Sequence, residues 1–175
     1  MEGIEQLAER LLESLPDYVW DGRSLPVPIE DIADTHLGLL VRDVEDLSRA
    51  PGAPRELGLS GLLLPDRREI WVDASEGAEW PARRRFTIAH EVGHWQLHRT
   101  ADDGLFCRAS DGESDDDGAI EREANEFAAA LLMPATLMRE HYAECRDFEE
   151  MKRRFHSSSA AMGRRLHAVI PRKPK

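Results

Sequence analysis

The stretch 86-FTIAHEVGHWQLH-98 places three histidines and a glutamate within thirteen residues that are otherwise mostly apolar. Inside it, His90-Glu91-Val92-Gly93-His94 has the form H-E-x-x-H. Successive residues of an α-helix turn by about 100°, so positions four apart lie some 40° from each other on one face. His90 and His94 can therefore offer two imidazole nitrogens to a single metal ion. Glu91 lies about 100° round from His90, beside such an ion rather than on it, where a general base belongs. Apolar residues surround the motif on nearly all sides, so its helix, read from near Trp80 to Arg84 up to about His98, is expected to be central.

Around this helix the chain reads as one globular domain: 175 residues, 41% hydrophobic and 33% charged, enough for a core of ordinary size. It holds no run of eighteen apolar residues, and MEGIEQLAERLLESL at its start is an acidic amphipathic pattern. Neither a membrane partner nor an export signal is expected. Two cysteines, Cys107 and Cys145, stand outside any C-x-x-C pair, which argues against a disulfide framework or a thiolate zinc site and for a reducing cytoplasm. The net charge of −11 is uneven. Residues 152–175 carry eight Lys or Arg and no acid, giving +8 there and −19 over residues 1–151. The expected organisation is a body over 1–150 and a basic C-terminal helical segment over 151–175, packed on it or extending from it. Such a tail is either a solvated end or a contact for nucleic acid or an acidic partner.

Elsewhere, Ile4, Leu7, Ala8, Leu11, Leu12 and Leu15 recur at helical spacing up to Pro16, predicting a first helix over about 3–15. Ile29 to Gly38 reads as a short helix closed by glycine, and Leu39 to Val41 as a strand. After the turn-rich 50–61, the runs 62-LLL-64 and 70-IWV-72 across 65-PDRRE-69 read as a hairpin, with Ser75 to Pro81 as a linker to the motif helix. Residues 99–118 are acidic and glycine-containing, without periodicity except near Leu105 to Arg108, and read as a loop. Within it, 111-DGESDDDG-118 lacks the glycine and the terminal glutamate of an EF-hand. A second strong helix is predicted from Ala119 to Met133, a further helical piece from Ala135 to Ala143, and two short helices about a Ser-rich turn over 147–170. The fold class is α+β, mostly helical with a small β-sheet next to the H-E-x-x-H helix.

Two histidines leave a catalytic zinc short of a third protein ligand. The helix 119-AIEREANEFAAALLMP-134 offers Glu121, Glu123 and Glu126. On the apolar face defined by Ala124, Phe127, Ala128, Leu131 and Leu132, Glu121 lies roughly 50° from the centre, Glu123 about 110° and Glu126 about 170°. Glu121 alone points toward the core. Asn125, one turn later, is expected to hydrogen-bond the outer nitrogen of a ligating histidine. A tetrahedral oxyanion would need a donor besides the metal, and His98, Tyr142 and His141 are the candidates. Substrate is expected along an edge strand of the hairpin.

The run R-R-F-T-I-A-H-E-V-G-H-W-Q-L-H, followed after an acidic loop by I-E-R-E-A-N-E-F-A-A-A-L-L-M-P, resembles the ImmA/IrrE family of zinc metallopeptidases. The resemblance extends more loosely from about Pro26 to Ile170. It implies a zincin-like, gluzincin-type metallopeptidase domain in which His90, His94 and Glu121 bind Zn2+ and Glu91 is the catalytic base. It further implies a metalloendopeptidase that cuts a regulatory protein, often a helix-turn-helix transcriptional repressor. Some relatives carry a fused DNA-binding domain or a C-terminal sensor-like domain; this sequence shows neither pattern, so regulation by an attached domain is not expected. Two other readings stand beside this one. One is a zinc-stabilised regulator without turnover, which would not need Glu91. The other is a DNA-binding transcription regulator using the basic C-terminal helix pair, against which the acidic body argues by repelling phosphates.

Overall fold

The computed structural model describes residues 3–50, 60–98, 106–107 and 115–170, and its sheet grows from the two apolar runs of the hairpin. Strands β2 (Gly61–Leu64) and β3 (Glu69–Asp73) pair antiparallel across a 3-10 turn at Pro65–Arg67. Every residue of β2 is buried, as in a strand covered on both faces. In β3 the pattern alternates, with Ile70 and Val72 buried. Strand β1 (Leu40–Val44) joins β3 in parallel, Leu40 opposite Glu69, and the two-residue β4 (Phe106–Cys107) joins β2 antiparallel, so the order is β1-β3-β2-β4. The hairpin turn ends on Arg68 with φ 54°, a conformation that costs a non-glycine residue about 1 kcal/mol or more. Its guanidinium donates to the Leu37 carbonyl at 2.7 Å and its own carbonyl accepts from Leu40 N–H at 2.8 Å, which holds the turn against β1.

Helix α1 (Ile4–Glu13) lies where its heptad-like apolar spacing places it. The helix expected over Ile29 to Gly38 is a short α2 (Ile29–Asp31) that widens into a π-helical turn at Ile32–His36 and stops at Gly38, whose φ of 64° needs glycine. The expected linker before the motif helix is instead α3 (Ala74–Glu79). Asp73 starts it, its carboxylate accepting from the Ser75 N–H at 2.8 Å, a capping signal that Gly77 and Pro81 obscure in the sequence.

The motif helix α4 (Pro81–Leu97) has proline at its first position, where the missing N–H costs nothing. From Thr87 to His94 all eight residues are buried, because α4 is packed between the sheet and α5 (Asp115–Leu132). α5 starts earlier than the sequence pattern suggests. The acid-rich composition there reads as a loop, yet acidic residues suit the positive end of a helix. α6 (Ala135–Glu144), α7 (Phe148–Phe155) and α8 (Ser159–Val169) complete the chain. The rest of the expected acidic loop, the segment 51–59, the EF-hand comparison at 111–114 and the last five residues lie outside the described residues.

One apolar cluster joins Ala8 and Leu12 of α1, Ile70 and Val72 of β3, Ile88 and Val92 of α4, Phe127 and Leu131 of α5, and Met151, Phe155, Met162 and Val169 of α7 and α8. The division at residues 150/151 therefore falls inside α7, and residues on both sides of it share this core. Of the five described Lys or Arg beyond residue 151, four are ion-paired. Lys152 meets Glu149, Arg153 and Arg154 meet Glu150, and the buried Arg165 meets Glu5. Much of the segment's positive charge is thus spent inside the molecule. Among the described residues no helix is long and apolar enough to cross a membrane.

Candidate metal centre

One turn of α4 separates His90 from His94, and their Nε2 atoms stand 2.9 Å apart. α5 brings Glu121 to the same point: its Oε2 lies 3.2 Å from His90 Nε2 and its Oε1 3.1 Å from His94 Nε2. Bonds of 2.0–2.1 Å to a tetrahedral ion put neighbouring ligand atoms roughly 3.3–3.4 Å apart. The observed separations need only a small expansion to reach that value. The donor set, two imidazoles and a carboxylate, is one that zinc accepts, so these residues fit a metal ion.

The convergence depends on a close helix contact. A Cβ added to Gly93 would stand 3.0 Å from the Ala124 carbonyl oxygen and 3.1 Å from its Cα, so α4 and α5 touch backbone to backbone. A larger residue at either position would separate the helices and draw Glu121 away. On the opposite side, a Cβ on Gly61 would meet Thr87 Cγ2 at 2.3 Å, so glycine lets β2 approach α4. The start of α4 is pinned by Arg84, which bonds Asp43 of β1 at 2.8 Å and Glu30 of α2 at 2.6 Å.

Burial pushes the Glu121 carboxyl up, but hydrogen bonds from His90 and His94 outweigh it and bring its pKa down to about 2. Glu121 is therefore an anion at neutral pH, as a ligand must be. His98 sits below its ordinary value, mainly through burial and then through the nearby His94.

Each residue singled out in the sequence can now be placed. Glu91 is fully buried and outside the converging group; its Oε1 lies 3.2 Å from the point a Gly61 Cβ would occupy, so it faces β2. Glu123 and Glu126 are exposed. Asn125 does not reach a histidine: its Nδ2 donates to the Glu121 carbonyl at 2.7 Å, the local i to i−4 bond open to an amide inside a helix. The rings of His98 and His94 lie 5.7 Å apart between centroids, tilted by 54° to each other. His141 and Tyr142 are held elsewhere. His141 Nδ1 is 2.7 Å from Arg154 Nη1 and its ring meets Phe155 edge-on, while Tyr142 packs on the apolar core. Among the described residues β1 pairs with β3 along its length and the two-residue β4 pairs with β2 at Leu62 and Leu63, so the hairpin strands lie inside the sheet and are not the edges expected for substrate. The sequence reading missed Gly61 and the Gly93–Ala124 contact, although the small residues inside both motifs were the available signal. It also missed Arg84, whose partners are distant in sequence.

The model of the IrrE N-terminal-like domain, Peptidase_M78, matches residues 59–167, which is more than half of the chain. The chain belongs to this family. The match spans β2, β3, α4, α5 and with them all of His90, His94 and Glu121. No curated protein matches the chain. Among solved structures, a Mycobacterium tuberculosis transcriptional regulator is 21% identical with a TM-score of 0.59, over 97% of this chain and 47% of that one. This IrrE N-terminal-like chain thus spans about half the length of that regulator, and the likeness is one of fold.

Proposed function

We propose that the chain is a zinc-dependent metalloendopeptidase with a zincin-like, gluzincin-type fold that cuts a regulatory protein in the cytoplasm. The observation that carries this reading is the position of Glu91, buried next to the first histidine yet outside the group of ligand atoms. His90, His94 and Glu121 would hold the ion. Zinc bound there supplies a Lewis acid that polarises a peptide carbonyl and lowers the pKa of water from about 15.7 toward 7. The Glu91 carboxylate accepts the attacking water's proton and delivers it to the departing amine, a transfer worth roughly 10²–10⁴ in rate. Gly61 keeps the strand beside Glu91 clear of side-chain atoms.

Membership of a peptidase family supports hydrolysis, and a fold shared with a transcriptional regulator supports a substrate in gene control, such as a helix-turn-helix repressor. The same likeness favours a second reading, a zinc-stabilised regulator without turnover, in which Glu91 has no task. One experiment separates them. Glu91→Gln keeps the volume and a carbonyl oxygen but removes the base, so zinc content should stay at the wild-type level while cleavage of a co-expressed repressor falls at least about a hundredfold. Equal relief of repression by both proteins, with no fragment on gels or by mass spectrometry, would establish the regulator instead.

A further inference from the structure

We propose that His98 is a positioning residue: its ring ties the end of α4 to the turn of α5 that carries Glu121. The inference rests on the reading that His90, His94 and Glu121 hold the metal.

His98 follows His90 and His94 at one more helical turn, and its side chain is 11% exposed. The ring hydrogen-bonds the backbone of Ile120, the residue before Glu121. Its Nε2 lies 3.5 Å from Glu123 Oε2, beyond a normal hydrogen bond. Nε2 itself has no hydrogen-bond partner, so the bond to Ile120 is the ring's tie to α5, and His98 stands outside the group of converging ligand atoms. This assigns it a different task from the oxyanion donor anticipated in the sequence.

The task follows from where Glu121 sits. α5 begins at Asp115, so Glu121 lies within its first two turns, where a helix opens most readily. Two bonds restrain that turn. Asn125 Nδ2 holds the Glu121 carbonyl from the following turn, and His98 holds Ile120 from the neighbouring helix. Of these two bonds the second runs from α4 to α5, and it adds to the Gly93–Ala124 contact in setting where the carboxylate meets the two imidazoles. Groups that orient metal ligands in this way change affinity about 10–100-fold when removed.

The test is titration of chelator-treated full-length protein with Co2+, reading the visible absorption of tetrahedral cobalt and the affinity by chelator competition. His98→Asn keeps a donor near the position of Nδ1, His98→Gln moves it toward the position of Nε2, and His98→Leu fills the space without a donor. The expected result is cobalt affinity within about threefold of wild type for Asn, and weakening of about 10–100-fold for Gln and Leu. Metal-free melting temperatures should be alike for Asn and Gln, so the comparison survives if Leu fails to fold. Equal affinity in wild type and Gln, or equal loss in Asn and Gln, would overturn the positioning role while leaving the metal site intact. Absence of a cobalt spectrum in the wild type would instead overturn the metal site itself, and this inference with it.

Discussion

Arg165 on α8 and the histidine pair on α4 are ionisable groups sealed into the interior, yet their surroundings differ in kind. Arg165 donates from Nε to the Met133 carbonyl at 2.8 Å and from Nη1 and Nη2 to the two oxygens of Glu5 at 2.7 and 2.5 Å. Donors meet acceptors, charge meets countercharge, and the arrangement is complete with protein atoms alone. His90, His94 and Glu121 instead bring two ring nitrogens and a carboxylate to one place, a donor set that could hold a metal ion. Burial of a charged or polar group marks neither function nor structure by itself; what its neighbours can give it does.

The largest expected effect comes from breaking the histidine and glutamate set. Glu121→Ala should abolish stoichiometric zinc, while Glu123→Ala and Glu126→Ala, both exposed positions, should bind as the wild type does. Metal content by mass spectrometry checks this, and equal zinc in all three variants would remove Glu121 from the ligand set. Breaking the complete pair should act on stability alone. Arg165→Ala leaves Glu5 without its partner and should cost about 3 kcal/mol, the low end for a buried pair because Glu5 is itself 36% exposed. Denaturant melts measure the loss, with zinc bound to the folded fraction unchanged.

Two glycines sharpen the contrast at smaller scale. Gly93→Ala inserts a Cβ against the Ala124 backbone and should destabilise by about 1–3 kcal/mol and weaken zinc binding together. Gly163 in α8 meets nothing within 4 Å, so Gly163→Ala should stabilise by about 0.5–1 kcal/mol through the unfolded chain. The two melts and a zinc titration decide whether the α4–α5 contact, and not glycine as such, matters.

Much of this was legible in the sequence where the signal is local. The 3.6-residue period located α1, the H-E-x-x-H motif located α4, a Ser-rich turn separated α7 from α8, and helical rotation picked Glu121 over Glu123 and Glu126. The hairpin followed from two apolar runs across a polar turn. What stayed hidden depends on partners far along the chain: the parallel docking of β1 on β3, the pairing of β4 with β2, the Arg84 and Arg165 ion pairs, and the true neighbours of His141. Asn125 was misjudged because helical rotation says which face a side chain occupies but not that its own backbone will outbid a neighbour. α3 was misjudged because glycine and proline near its ends mask the Asp73 cap.

The bond between Arg165 and Glu5 spans 160 residues, and that separation bears on the order in which the molecule assembles. Closing so long a loop first would cost on the order of 4–5 kcal/mol of chain entropy. α1 and α8 each pack on α5, so a chain in which both have already docked there brings the two side chains together across a short remaining gap. The buried ion pair is then a late event, sealing an interior that α4 and α5 have already begun. Residues that form it should speed unfolding when removed and leave the folding rate almost unchanged.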